Sequence, residues 1–336
     1  MLSGKIIKSL RGVVFGALVV CMFSTSVLAH PGSGIVVDRL GQVYFLDTGS
    51  RLWRIDTRGA LTHLSPLRNH WLAIHASDKF NQSPQPTDPG RDWVITSVAS
   101  NPTLLISTDF PLTVAGDGTL YYPSVRETNA RILRKSPTGS VSAFVTLPRS
   151  VAGAPVPWIN GITTGSDGSI YYTEDNAIRR INAKGAVSTF ATVPALDHGP
   201  AIPGNDHHPY LRGLKIDPKG TIYVADSGDA RVLKIAPNGK MITTLVQLQS
   251  PWAPTDVALF GDVVYVLEFL HTAGDDRLAW MPRIRKITPD GRSTVILTID
   301  QMPGARPAKA AAPASYDLFW TEFLNPLLRS VLTSLS

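Results

Sequence analysis

Cysteine is almost missing. Cys21 is the only one in 336 residues, and it falls inside an N-terminal stretch with the order of an export signal. Lys5, Lys8 and Arg11 form a positive segment, "VVFGALVVCM" an apolar one, and "VLA" at 27–29 a small-residue cleavage site. The apolar run is short for a membrane span, and an uncleaved anchor is the alternative reading. Val20 stands before Cys21 where lipidation would want a small residue. Cleavage near Ala29 leaves a mature chain with no cysteine and a periplasmic or secreted destination. Disulfides, thiolate catalysis and cysteine-ligated metals are then excluded.

Charge is also sparse. Charged residues make up 17% of the chain against 43% hydrophobic ones, which excludes a disordered chain. Removing Lys5, Lys8 and Arg11 lowers the formal net charge from +6 to +3. No basic stripe interleaves with aromatics, so no nucleic-acid partner is expected. Nothing before residue 303 reads as a long amphipathic helix.

What the chain has is repetition. "NGITTGSDGSIYYTED" (160–175) and "RGLKIDPKGTIYVADS" (212–227) share one template: an apolar strand, a glycine-bearing turn, a strand rich in tyrosine and branched residues, and an acid. Further copies occupy 33–64, 110–147 and 253–299, and a degenerate one fits 70–107. Each unit reads as four short strands. Its first turn is of the "GDG", "SDG" or "DPKG" kind, and its last is "DTRG", "SPTG", "NAKG", "APNG" or "TPDG". Glycine suits such turns because they commonly require a positive φ. Four antiparallel strands repeated about every 40 to 50 residues predict an all-β fold, a six-bladed β-propeller of four-stranded antiparallel blades. A sandwich would lack the repeat.

The unit "GLKIDPKGTIYVADSGDARVLKIAPNG" resembles an NHL repeat. The whole of 33–299 is similar to the wider group of gluconolactonases, paraoxonases and strictosidine-synthase-like proteins. "GITTGSDGSIYYTE" also resembles the repeat of virginiamycin B lyases. That group hosts hydrolases, lyases and binding modules, so the resemblance implies the fold and leaves the activity open.

The chain accordingly divides into a signal peptide (1–29), a propeller (30–302), an Ala/Pro linker (303–314) and an amphipathic helical tail (315–336). Each unit begins with its inner strand and ends with its outer one. The ring is therefore expected to close by packing between first and last blades. In the tail, Tyr316, Phe319, Trp320, Phe323, Leu324, Leu327, Leu328, Val331 and Leu335 recur at helical spacing, with Pro326 interrupting. That face would dock on the propeller, on a protein partner or on a membrane surface.

In a four-stranded meander, first-to-second and third-to-fourth turns share one face. The second-to-third loops and blade connections share the other. The second set holds the insertions at 81–92, 148–158, 194–210 and 269–282, so the ligand site is expected there. Residues preceding the inner strands read Ser33, His70, Phe110, Asn160, Arg212 and Thr255, with Asp256 one place on. Those closing the second strands read Asp47, Glu174, Asp226 and Glu268.

Two chemistries fit this set. In one, a small molecule, glycan or peptide is bound without reaction, Arg212 pairing with a carboxylate or phosphate and Asn160, Glu174, His207 and His208 around it. In the other, calcium or another divalent metal assists lactone or ester hydrolysis, or lyase chemistry. The gluconolactonase resemblance implies an Asn in an "NG" motif, matched by Asn160-Gly161, and a later acid for which Asp256 stands in. Its first-blade acid is replaced by Ser33-Gly34, and Arg212 adds a repelling cation. His70 serves as general base or fills the ring centre as a structural imidazole. The virginiamycin-lyase resemblance implies a late His and Glu, for which Glu268 and His271 are the candidates. Asp47 and Asp226 are expected to bond their own loop amides. A platform for another exported protein is the third reading.

Overall fold

The alternation of apolar runs and glycine turns produces one pattern five times over. A computed structural model describes residues 34–47, 51–66, 71–74, 80–82, 104–107, 111–125, 129–138, 140–147, 156–196, 209–270 and 281–299. Blade A comprises β1 (Ile35–Val37), β2 (Val43–Leu46), β3 (Arg51–Ile55) and β4 (Leu61–Pro66). A short sheet follows, of β5 (Trp71–Ile74), β6 (Phe80–Gln82) and β7 (Leu104–Ser107). Blade B is β8 (Thr113–Val114), β9 (Leu120–Val125), β10 (Ala130–Lys135) and β11 (Val141–Leu147). Blade C is β12 (Gly161–Thr164), β13 (Ile170–Glu174), β14 (Ala177–Ile181) and β15 (Val187–Thr192). Blade D is β16 (Leu211–Ile216), β17 (Ile222–Asp226), β18 (Arg231–Ile235) and β19 (Ile242–Gln247). Blade E is β20 (Trp252–Phe260), β21 (Val263–Leu270), β22 (Pro282–Ile287) and β23 (Ser293–Thr298).

Each blade is an antiparallel meander in sequence order, and the whole is a β-propeller of four-stranded blades. Every blade carries a register shift between its third and fourth strands, which adds to the twist that lets blades nest. The turns work as expected. Gly41, Gly118, Gly168 and Gly220 hold φ between +75° and +84°. Asp38, Asp117, Asp167 and Asp217 each accept the N–H two residues on.

The segment 70–107 departs from the expected template. Its three described strands lie in the order β6-β5-β7, and β7, last in the chain, runs beside β1 and β8. The inner position thus belongs to β7 instead of the strand after His70. The cause is legible in composition: this stretch has one glycine, Gly90, and prolines at 84, 86, 89 and 102 that cannot donate to a ladder. The described residues therefore give five four-stranded blades and one three-stranded sheet, not six equal blades. The signal segment, the linker and the predicted C-terminal helix lie outside the described residues.

Between blades the core is apolar and continuous. Ile35, Val43, Phe45 and Trp53 of blade A pack with Tyr265, Leu267, Phe269 and Ile284 of blade E, so first and last blades close the ring by side-chain packing. At the axis this seam is also polar. Asp256, fully buried on β20, accepts the Ile35 N–H of β1 at 3.2 Å on Oδ2 and the Val257 N–H at 2.8 Å on Oδ1. Gly213 of β16 faces the same carboxylate, where an added Cβ would sit 2.0 Å from Oδ1. Three inner strands thus converge on one side chain. Burial pushes the Asp256 carboxyl up to about 6, while Lys215 and the bonded amides of Val257, Ile35 and Gly34 oppose the rise.

Two outcomes are expected. Gly213→Ala loses about 3 kcal/mol in urea unfolding through overpacking, whereas Gly116→Ala, with open space around it, changes little. Because the folded Asp256 carboxyl titrates near 6 and the unfolded one near 3.8, its contribution is fully present below the unfolded value and fades as pH rises through 6. The wild type should therefore gain stability relative to Asp256→Asn as pH falls from 7 towards 4. A pH-independent difference between the two melting curves would show that this carboxyl does not titrate there.

Candidate functional site

Inner strands of the last two blades are irregular at their long-loop ends. In blade D, Leu211 faces Asp226 and Leu214 faces Val224, so Arg212 and Gly213 share one partner position. In blade E, Pro254 faces Glu268 and Asp256 faces Leu267, leaving Thr255 as the extra residue. Bulges of this kind re-aim side chains, and here two neighbouring strands carry them at the same end.

Around the first bulge stands a buried polar cluster. The Arg212 Nε–H donates to Ser227 Oγ at 2.8 Å, and its guanidinium carbon lies 5.2 Å from the Tyr210 ring centroid. The Tyr210 hydroxyl donates to Asn160 Oδ1 at 3.2 Å. The Asn160 amide in turn donates to the Leu211 carbonyl at 3.0 Å, and the Thr173 hydroxyl to the Arg212 carbonyl at 2.8 Å. Asn160 and Arg212 are 4% and 3% exposed, so these bonds form away from bulk water, where each counts for more. Blades C and D are so close here that a Cβ on Gly161 would lie 2.4 Å from the Arg212 carbonyl oxygen.

Acids closing the second strands are each engaged by an arginine from the third. Asp47 accepts Arg51 Nε–H at 2.7 Å and the Trp53 indole N–H at 3.0 Å. Glu174 pairs with Arg179 at 3.1 Å, and Asp226 with Arg231 at 2.8 Å. Arg231 also reaches Asp229 at 3.0 Å and the Pro194 carbonyl at 2.7 Å. Glu268, wholly buried, takes the Nε–H groups of both Arg283 and Arg285, and Arg283 stacks 3.8 Å over Trp252. Asp47 and Asp226 also accept loop amides, from Arg51 and Asp229.

These partners bear on each residue singled out from sequence. Glu268, the catalytic candidate taken from the virginiamycin-lyase resemblance, has both oxygens on guanidinium groups. Glu174 is ion-paired with Arg179. Asn160 and Asp256, read as metal ligands, have their oxygens engaged by Tyr210 and by backbone amides. Among the described residues no group of three or more His, Cys, Asp or Glu could hold a metal ion. Asn160 and Asp256 as arranged do not fit a hard-cation shell, since such an ion needs several free oxygens. Arg212 is brought together with Asn160. His70, His207, His208 and His271 lie outside the described residues.

Tyr210, Ser227 and the five clasping arginines were not picked out from sequence. The arginine signal was present in "DTGSR" (47–51) and "DSGDAR" (226–231), where acid and arginine flank one turn. In blade E the intervening loop moves the partner to fifteen residues away and hides it.

No family model matches the chain. A gluconolactonase of Zymomonas mobilis subsp. mobilis is 26% identical over 183 residues, covering 50% of this chain and 51% of that protein. The chain thus matches that relative over about half its length. Among solved structures, a calcium-binding protein, regucalcin, from Agrobacterium tumefaciens str. C58 is similar with a TM-score of 0.49, at 17% identity over 74% of this chain and 84% of that one. A streptogramin B lyase structure is similar with a TM-score of 0.46, at 16% identity over 79% and 83%.

The clasps generate one prediction. Glu268→Gln leaves two guanidinium groups side by side without their shared anion, and breaking such a buried pair should cost about 3 kcal/mol in urea unfolding. Asp262→Asn, which loosens an exposed pair with Lys219, should leave the midpoint nearly unchanged.

Proposed function

We propose that this chain is an exported propeller that binds a small, acceptor-rich molecule, glycan or peptide at the centre of its long-loop face. The carrying observation is the bulge that sets Arg212 beside Tyr210, Ser227 and Asn160 at the long-loop end of the inner strands. The described acids closing the second strands on the same face are engaged by arginines, which leaves Arg212 as the cation of the cluster. A guanidinium with its Nε fixed by a serine and its plane near a tyrosine is preorganised for a carboxylate or phosphate. In this reading the short sheet fills the sixth blade position, cleavage falls near Ala29, and residues 315–336 form a helix.

The second reading is lactone or ester hydrolysis assisted by a divalent ion such as calcium. It is supported by the partial similarity to a gluconolactonase. The described residues do not supply the ion's shell, so no step is routed through it. A platform for another exported protein remains the third reading, carried by the apolar pattern of the tail.

Calorimetric titration with gluconate, in chelator and then in calcium, separates these readings. Under the binding reading gluconate binds in chelator, and Arg212→Lys weakens it roughly tenfold by losing the planar fork. Binding that ignores Arg212→Lys would move the site elsewhere. Turnover of glucono-1,5-lactone that appears only with calcium would establish the second reading instead.

A further inference from the structure

The tight-turn face has a composition that a site at the other end does not explain. Leu40 and Met241 are the most exposed large hydrophobic residues described, at 64% and 62%, and Phe260 is 40% exposed. Leu40 and Met241 stand in turns at this end and Phe260 is the last residue of β20 before one. Leu40 lies between β1 and β2, Met241 between β18 and β19, and Phe260 at the turn from β20 to β21. Leu40 and Phe260 adjoin across the ring seam, since the Phe260 ring packs on Gly41, where a Cβ would lie 3.2 Å from Cζ.

Cations flank these tips. Arg39 precedes Leu40, Lys240 precedes Met241, and Lys219 stands exposed on the β16–β17 turn. The acids beside them fold inward. Asp38 is buried, holding the N–H groups of Leu40 and Gln42 and the Gln42 side chain. Asp217 holds the N–H groups of Lys219 and Thr221. Asp262 points outward, exposed and 3.7 Å from Lys219, and Asp117, Asp167 and Asp290 are exposed on other turns of this face. Around Leu40 and Met241 the neighbouring groups that project are the cations Arg39 and Lys240, while the exposed acids stand on other turns.

We propose that the tight-turn face rests on an anionic phospholipid surface. Leu40, Phe260 and Met241 enter the headgroup region, and Arg39, Lys219 and Lys240 lie among the phosphates. A protein partner of comparable footprint favours a contiguous apolar patch with few charges at its core. Here the apolar tips are separated by cations, an arrangement that suits an interface accepting hydrocarbon and positive charge side by side. Docked this way, the propeller turns its long-loop face, and the Arg212 cluster, away from the membrane. The inference does not rest on the ligand reading.

The test is partition of the full chain onto vesicles, one set of phosphatidylcholine alone and one with roughly 30% phosphatidylglycerol. The expected result is stronger binding to the anionic set, weakening as salt rises. Lys240→Glu, which touches no packing, should weaken it about fivefold or more. Leu40→Ser combined with Met241→Ser should reduce it further, with thermal midpoints held as a check on folding. Equal binding to both vesicle sets would overturn the proposal. So would binding that neither variant alters, which would assign it to the N-terminal segment or the tail. Loss of self-association in the variants, without vesicle binding, would make this face a protein interface and overturn it too.

Discussion

Everything in this propeller depends on how closely its inner strands can approach the axis. The tightest described point is the buried carboxylate of Asp256, which reaches from β20 to the amides of β1 while β16 passes it with a glycine. Among the described residues no strand is exchanged between first and last blades. Ring closure therefore needs packing of the kind that Phe45, Tyr265 and Phe269 provide, together with a polar contact that fixes the axial level. An ionised carboxylate is expensive in such a place, which is why its proton affinity is raised. The amides it accepts would otherwise be donors without partners at the mouth of the seam.

The same constraint shapes the long-loop face. Strands pressed together at the axis cannot all stay regular, and the two bulges relieve blades D and E where they meet. Arg212 is carried into the centre by that irregularity. Further out, each acid–arginine clasp staples the second strand to the third where the chain passes between them, over a two-residue turn in blade C and a long loop in blade E. Loops of variable length can then be inserted without fraying the blade beneath them. Carboxylates engaged in this way hold the scaffold, and metal-ion chemistry would need oxygens that are free.

The sequence carried the local information and little of the non-local. Glycine turns with an Asp two residues before a bonded amide were readable at once, because every atom involved lies within five residues. So were five of the units and the two-faced distribution of loops. The segment 70–107 was readable only as a weak copy, since prolines erased the turn signals and the strand order changed with them. Asn160 shows the limit best. Its partners are Leu211, 51 residues on, and Tyr210, 50 residues on, and nothing in a linear pattern states that blades C and D meet there. An asparagine that straps two blades and one that ligates an ion look alike in a string. Glu268 is a similar case, because its two arginines lie 15 and 17 residues on, beyond a long loop.

A propeller whose two faces differ this much in backbone economy also separates two kinds of recognition. On the tight-turn side many backbone amides are bonded within their own turn, so specificity rests more on what the tips project. Projected hydrocarbon and ammonium groups recognise a surface by its charge and fluidity, without shape. On the long-loop side the backbone is irregular and the side chains are locked by buried bonds, which is the condition for recognising one shape. Rigidity at the axis serves both. Asp256 joins β20 to β1 and faces Gly213, the neighbour of Arg212, so the axial contact and the polar cluster share one bulge.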